Sequence, residues 1–473
     1  MAAVLVQGAA RRWAALAFLL AGAFLPILDF NVVNLALPTI RQDLGASAGE
    51  VQFVVSAYAA TYATFLITGG RLGDWFGRKR MFVLGVAAFT LASVLCAAAA
   101  TPGMLIVGRI VQGLAATLMA PQVLASIRAL FPPAEQGTAL ALYGATFGLA
   151  NIVGQVLGGV LVWVQPFGLR WQAIFLVNVP IGAAALAGGL VFLRDSRADR
   201  AQALDVGGVV LLSVALGSLV YPLVEGRERN WPAWLIGMLL AAPGALWAFT
   251  RFELRLKRRG GSPLVDFALF RERGFAFGVP MALLYYMLSA FYLCFSVYLQ
   301  AGLRLTPLEA GMRNLPFGVG YFVASFVSAA VMRRLGPRAL TLGFLVQVFG
   351  FLAVALSVIK ASTGGVAAAL VVAGLGFGIV MPSVINAVIG GIDRRHAGLA
   401  SGVVISTFQI GAALGVAIIG GIFFSAVGAN SDTAAYARAF AIALGCNCAL
   451  LVLGAALSLL LPRADRAASS RDR

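Results

Sequence analysis

The chain has 473 residues, 61% of them hydrophobic and only 11% charged, a balance that no water-soluble domain of this size hides in one core. Its formal net charge of +17 would suggest nucleic acid in a soluble protein, but here the cations are distributed between apolar runs and form no single patch. Composition therefore excludes a soluble enzyme or a nucleic-acid binder and leaves an all-α polytopic membrane protein.

A membrane-spanning helix needs about 20 apolar residues. Runs of that kind fall near 12–36, 51–69, 81–100, 103–127, 137–164, 171–193, 204–223 and 233–251, then near 275–300, 309–332, 339–359, 364–390, 398–424 and 437–461. That predicts fourteen spans. Most of the 35 Lys and Arg lie in alternate loops, on the side shared with both chain ends, so the positive-inside rule places both termini in the cytoplasm. Arg11 and Arg12 superficially resemble a twin-arginine export signal, but the apolar run behind them is long and lacks an obvious cleavage site, so it reads as the first helix. Cys96, Cys294, Cys446 and Cys448 all fall inside spans and read as small packing residues.

The first span carries Asp29 in Leu28–Pro38. A carboxylate in hydrocarbon is costly and must face a cavity or a partner, which makes Asp29 the leading candidate for proton or cation coupling; Asn31 and Asn34 read as packing hydrogen bonds, with Asn34 also a cavity candidate. Between the second and third spans lies Gly70-Arg71-Leu72-Gly73-Asp74-Trp75-Phe76-Gly77-Arg78-Lys79-Arg80. Its cations fix orientation, but a topology anchor alone explains neither Gly70, Gly73 and Gly77 nor Asp74; these, with Arg78, read as a conformational gate.

In the fourth span Arg109 lies inside the hydrocarbon, followed by Gln112 and Gly113. A buried guanidinium demands an anion or a carbonyl, and Asp29 is the other ionisable residue well inside the amino-terminal spans, so the two are expected to pair. The fifth span places Gly154, Gly158 and Gly159 at small-residue spacing suited to a close helix crossing or pivot, or to glycine-rich packing alone, with Gln155 a cavity candidate. After the sixth span come a short polar linker, two further spans and a long basic loop at 251–273, most simply a solvated, lipid-facing segment.

The ninth span puts Tyr285, Ser289, Tyr292 and Ser296 on one helical face. That face suits either a broad pocket for a flat organic solute or simple packing. The loop at 332–338 looks like a worn copy of the opening bridge, which hints at a parallel duplication. The thirteenth span opens with Gly398 and offers Gln409 as a cavity hydrogen bonder. His396 lies in a loop with no evident role. No nucleotide-binding loop, metal cluster or nucleophile–histidine pair is present in the sequence, so no enzyme chemistry and no bound cofactor are expected.

Together these residues resemble the major facilitator superfamily and, more narrowly, its 14-helix drug:proton antiporter family. Gly70–Arg80 is similar to the superfamily's cytoplasmic signature, Arg109–Gly113 to its fourth-helix signature, Leu28–Pro38 to the 14-helix family's first-helix motif, and Gly398–Gly415 to its thirteenth helix. The resemblance implies two six-helix bundles around a central cavity, rocking between inward- and outward-facing states, with two inserted helices. The corresponding domains are 1–200, 201–273 and 274–473. It further implies that Asp74 locks the cytoplasmic side, that Arg109 takes part in proton coupling and that Asp29 bears the proton or engages a cationic substrate. One departure stands out: Gln155 occupies the place of a motif proline, and with the helix-bending ring gone it would offer a polar group to the cavity.

The expected function is proton-coupled export of small amphipathic or cationic organic compounds by alternating access, in the inner membrane, with the proton gradient as energy source and no nucleic acid as partner. A carrier of one specific metabolite is the alternative, and a non-transporting scaffold a more distant one.

Overall fold

The structure is a computed structural model that describes residues 8–196, 204–226, 229–336, 338–360, 362–389, 397–428 and 432–461. Among the described residues there are helices and no strands, as apolar segments in lipid require when each backbone amide must find its partner within its own segment. Fourteen long helical segments follow one another among the described residues. They are α1 (Ala9–Leu44), α2 (Ala48–Phe76), α3 (Arg78–Ala97), α4 (Pro102–Leu130) and α5 (Pro133–Val164). Next come α6 (Ala173–Phe192), α7 (Val206–Glu225), α8 (Ala233–Arg258) and α9 (Arg273–Gly302). The chain continues through α10 (Pro307–Leu335), α11 (Arg338–Ile359), α12 (Thr363–Ile389), α13 (Ala397–Val427) and α14 (Thr433–Ser458). Thirteen of the segments among the described residues are long and apolar enough to cross a membrane.

Local chemistry sets the ends. Helix α1 stops at Gly45, which is left-handed at φ 62°, and α2 starts with a reciprocal capping box between Ser47 and Glu50. Thr306 and Glu309 repeat that device at α10, while Asp205 caps α7 and Asp432 caps α14. These caps satisfy amides that the first helical turn leaves without partners.

Several helices outrun their predicted spans. Helix α1 is 36 residues long with Pro26 and Pro38 inside it, and α8 carries Glu253 and three basic residues of its last turn beyond the predicted boundary at 251. Two predicted spans are also less regular than expected. Helix α6 breaks at Val177 between Ala173–Leu176 and Asn178–Phe192, because Pro180 has no N–H to return to the Leu176 carbonyl. Helix α9 contains a 3-10 turn at Met287–Ser289 and closes with a π turn at Tyr298–Gly302.

The chain divides into two compact units, one running to Leu264 and the other starting at Val265. The first holds α1–α6 and the pair α7 and α8, which pack on each other, with α7 also against α2. Within it α1 packs on α5 and α6, α4 on α2 and α3, and α3 on α6. The second unit repeats this order: α9 on α13 and α14, α12 on α10 and α11, and α11 on α14.

The repetition reaches individual residues. A Cβ at Gly154 would meet Asn31 at 2.7 Å and the Leu28 carbonyl at 3.3 Å; at Gly411 it would meet Tyr286 at 3.0 Å and the Leu283 carbonyl at 2.5 Å. Gly113 lies on the Tyr58 carbonyl as Gly374 lies on that of Phe317. Both units thus cross the same helices at the same glycines, where the missing side chain lets backbones touch.

Candidate buried ionic site

Arg109 is the one charged residue among the largest fully buried side chains. An unpaired guanidinium there would cost several kcal/mol, and the first unit meets that cost with partners from four helices, α1, α2, α4 and α6. Nη1 of Arg109 donates to Asp29 Oδ2 as an ion pair, and both side chains are completely buried. The same nitrogen donates to Gln112 Oε1 at 2.8 Å, and Nε donates to the Val54 carbonyl of α2 at 2.9 Å. Beneath the guanidinium lies the Tyr58 ring, 4.2 Å from Cζ, with the Phe175 ring at 6.0 Å, an arrangement that adds cation–π attraction in a dry setting.

Asp29 is equally well supplied. Its Oδ1 accepts from Gln112 Nε2 at 3.1 Å and from Asn178 Nδ2 at 2.8 Å, so Oδ1 receives donors from α4 and α6 while Oδ2 receives Arg109 of α4. Ser93 of α3 orients those amides. Its hydroxyl accepts from Gln112 Nε2 at 2.9 Å and from Asn178 Nδ2 at 3.2 Å while donating to the Phe89 carbonyl at 2.9 Å. Both amides therefore present N–H, not C=O, to the Asp29 carboxylate. Cys96 completes the ring, its thiol donating to Gln112 Oε1 at 3.4 Å. Arg109 Nη2 and Asn178 Oδ1 are left without hydrogen-bond partners among the described residues.

Sequence reasoning named Asp29, Arg109 and Gln112 but passed over Ser93, Asn178, Tyr58 and Phe175. Ser93 and Cys96 lie three residues apart, as do Arg109 and Gln112, so each pair shares a helix face. Polar residues at that spacing in apolar runs, with Pro180 breaking α6 just after Asn178, were the available signals.

The other predicted residues are placed as follows. Asn34 is buried and donates to the Phe30 carbonyl of its own helix at 2.6 Å; Asn31 does the same to Ile27 at 2.8 Å. A Cβ at Gly158 would meet Val32 Cα at 3.1 Å, and Gly159 is buried beside it on α5. The side chain of Gln155 lies outside the described residues, as does His396. Tyr285 is fully buried in the second unit, its hydroxyl donating to the Phe377 carbonyl at 2.9 Å, and Tyr292 meets Phe317 edge-on at 5.9 Å. Gln409 is half-buried on α13.

In the opening bridge, Asp74 pairs with Arg78 at 3.2 Å. Gly77 has φ 105°, and a Cβ there would run into the Asp195 carboxylate; one at Gly73 would run into the Gln122 amide. Gly70 has ordinary space, with Pro121 at 3.6 Å, so close approach does not require a glycine at that point. The bridge is also tied to segments the sequence did not suggest. Arg78 donates its backbone N–H to the Ser196 carbonyl at 2.9 Å and Arg80 pairs with Asp195 at 3.4 Å. Arg71 is buried and donates to the Ser262 and Pro263 carbonyls, beyond the end of α8.

Two compact units with one helix-packing plan, and a buried ion pair in the first, narrow the field to membrane carriers. The family model described as Major Facilitator Superfamily matches residues 19–416 and 279–471. The chain belongs to the Major Facilitator Superfamily.

This superfamily member is 38% identical over 450 residues to the probable actinorhodin transporter of Streptomyces coelicolor, covering 93% of this chain and 78% of that protein. It is 35% identical to the tetracenomycin C resistance and export protein of Streptomyces glaucescens, covering 88% and 77%, and 30% identical to the multidrug resistance protein Stp of Mycobacterium tuberculosis, covering 85% and 74%. Among solved structures, a bacterial homolog of the human lysosomal transporter Spinster superposes with a TM-score of 0.68 at 16% identity, covering 96% of this chain and 98% of that one. The xylose transporter XylE from E. coli gives 0.64 at 12%, covering 97% and 99%; at such identities the likeness is one of fold. The chain is a multi-pass membrane transporter of small molecules, not an enzyme.

Proposed function

We infer that this transporter is a proton-coupled exporter of small amphipathic organic compounds, working by alternating access in the inner membrane with both termini in the cytoplasm. The observation that carries the reading is the closed network around Asp29 and Arg109. While Asp29 is ionised, it is the counter-ion of Arg109 and accepts from Gln112 and Asn178 as well. A proton on Asp29 removes the counter-ion of Arg109 and leaves a buried cation that must find another partner. The two protonation states therefore prefer different arrangements, and a proton gradient acting through that difference biases one global equilibrium.

Similarity to drug and antibiotic exporters supports export as the direction. Because the Asp29 carboxylate is already engaged by Arg109, a cationic solute would have to displace a guanidinium to reach it, which favours amphipathic over strictly cationic substrates. A second reading, a carrier dedicated to one compound, draws support from relatives named for single substances: actinorhodin, tetracenomycin C and puromycin.

The test is solute-induced proton movement in sealed vesicles of known orientation, with a panel of dyes and quaternary ammonium compounds. Proton release with several unrelated solutes, abolished by Asp29→Asn, is the expected result. A response to one compound alone would favour the dedicated carrier, and an undiminished response in Asp29→Asn would place the coupling elsewhere.

A further inference from the structure

Helix α8 has two faces of opposite character, and only one is explained by the packing described above. Leu235, Ala242, Phe249 and Glu253 are buried at 0%, 1%, 6% and 1% exposure. At about 100° per residue these four positions fall on one side of the helix. On the diametrically opposite side, Leu240, Gly244, Trp247, Arg251, Arg255 and Arg258 form a continuous exposed stripe, with Leu240 at 74% and Trp247 at 62% exposure.

The stripe changes chemistry along its length. Its first half is apolar, and at Gly244 a side chain would meet nothing within 4 Å, which leaves a shallow trough between Leu240 and Trp247. Its second half consists of three arginines, one per turn. The ion pairs of the described residues engage other cations, so none of these three guanidiniums is neutralised by a carboxylate. Arg251 instead stacks on Trp247, its Cζ 5.2 Å from the ring centroid. Tryptophan marks the boundary between hydrocarbon and headgroups, so the stripe runs from hydrocarbon into the headgroup layer.

We propose that this face of α8 is a binding site for an anionic phospholipid, its acyl chain lying along Leu240, Gly244 and Trp247 and its phosphate held by Arg251, Arg255 and Arg258. From Arg251 to Arg258 the helix rises about 10 Å, enough to span a glycerophosphate headgroup. Guanidinium suits the role: its planar fork meets phosphate oxygens in pairs, and it loses less hydration than an ammonium does. A general attraction of basic loops to acidic membranes would draw equally on Lys257 and Arg259, which leave the stripe by well over a quarter-turn or nearly so. The site depends on membrane residence alone, so its test is separate from that of proton coupling.

The experiment is native mass spectrometry of the full-length chain in detergent, equilibrated with phosphatidylglycerol and phosphatidylcholine of identical acyl chains. The wild-type protein is expected to retain phosphatidylglycerol in preference. Each arginine removed should weaken that retention about fivefold, so that Arg251→Gln/Arg255→Gln/Arg258→Gln loses the preference while Lys257→Gln/Arg259→Gln keeps it. Undiminished preference in the triple variant would overturn the proposal, as would equal loss in the double variant. Displacement of the lipid by inorganic phosphate at matched concentration would also overturn it, since the stripe would then bind phosphate and not a lipid.

Discussion

The two units cross their helices at equivalent glycines yet fill the space between them with opposite materials. In the first, Leu28 is followed by Asp29, and Gly113 is preceded one turn earlier by Arg109; in the second, Leu283 is followed by Leu284, and Gly374 is preceded one turn earlier by Leu370. Around Asp29 and Arg109 the interior consists of amides, a hydroxyl and a guanidinium. The corresponding region of the second unit is an aromatic core in which Tyr285 tilts against Phe377 at 5.1 Å, Phe291 against Phe351 at 5.1 Å and Phe295 stacks on Phe440 at 5.2 Å.

In the second unit apolar residues hold the equivalent positions, Leu370 buried and Leu284 half-buried, so the same helix-packing plan forms there without an ion pair. A desolvated pair is weak as a source of stability but strongly sensitive to loss of either partner. That sensitivity is what a proton-driven switch would use, and the aromatic core, held by dispersion and ring geometry, offers no such buried ion pair.

The sharpest way to break the comparison is to make the first unit like the second. Asp29→Leu or Arg109→Leu alone should cost about 3 to 5 kcal/mol by stranding a buried charge. The Asp29→Leu/Arg109→Leu double variant should recover most of that loss, within about 1 to 3 kcal/mol of wild type, while pH-driven accumulation of solute is lost in all three. Thermal unfolding in detergent alongside transport in vesicles measures both. A double variant no more stable than the singles would mean that the pair is required for folding.

Next in size are the glycine crossings. A methyl group at Gly415 runs into the Met287 carbonyl, whereas at Gly158 the nearest atom, Val32 Cα, lies at 3.1 Å. Gly415→Ala should therefore destabilise by about 1 to 3 kcal/mol, and Gly158→Ala by less. The reverse order in unfolding midpoints would show that the second unit gives way more readily than its packing implies.

Ser93→Ala should cost about 1 kcal/mol yet reduce transport out of proportion, because both amides lose the acceptor that turns their N–H groups toward Asp29. Unchanged transport would make Ser93 a packing residue. Tyr285→Phe should have the smallest effect, about 0.5 to 1 kcal/mol with transport intact, since the Phe377 carbonyl loses one side-chain donor. Selective loss of transport there would identify Tyr285 as a solute contact.

Much of this was legible in the sequence, for physical reasons. Fourteen spans follow from apolar run length, and the pairing of Asp29 with Arg109 follows from the cost of leaving either alone in hydrocarbon. Ser93 and Asn178 were less visible because neutral polar groups are tolerated in spans and carry no comparable penalty. The break in α6 that sets Asn178 depends on Pro180, a residue that ends many helices without functional consequence. The aromatic face of α9 shows the opposite limit: Tyr285, Ser289 and Tyr292 share a face by periodicity, but periodicity is silent on what stands opposite. In the structure Ser289 donates to the Ala412 carbonyl and Tyr285 to that of Phe377, so that face is packed against its own unit. The residues of the bridge at 70–80 stood out by their pattern, whereas the groups they touch, Asp195, Ser262 and Pro263, lie far away in sequence and follow no motif.

The most direct test of the central claim uses the Asp29→Leu/Arg109→Leu variant in sealed vesicles with an imposed pH gradient and a solute that the wild-type protein moves. If the buried pair couples proton to solute, this variant lets solute equilibrate down its own gradient but does not accumulate it in response to the pH gradient. Undiminished pH-driven accumulation in the variant would contradict the account.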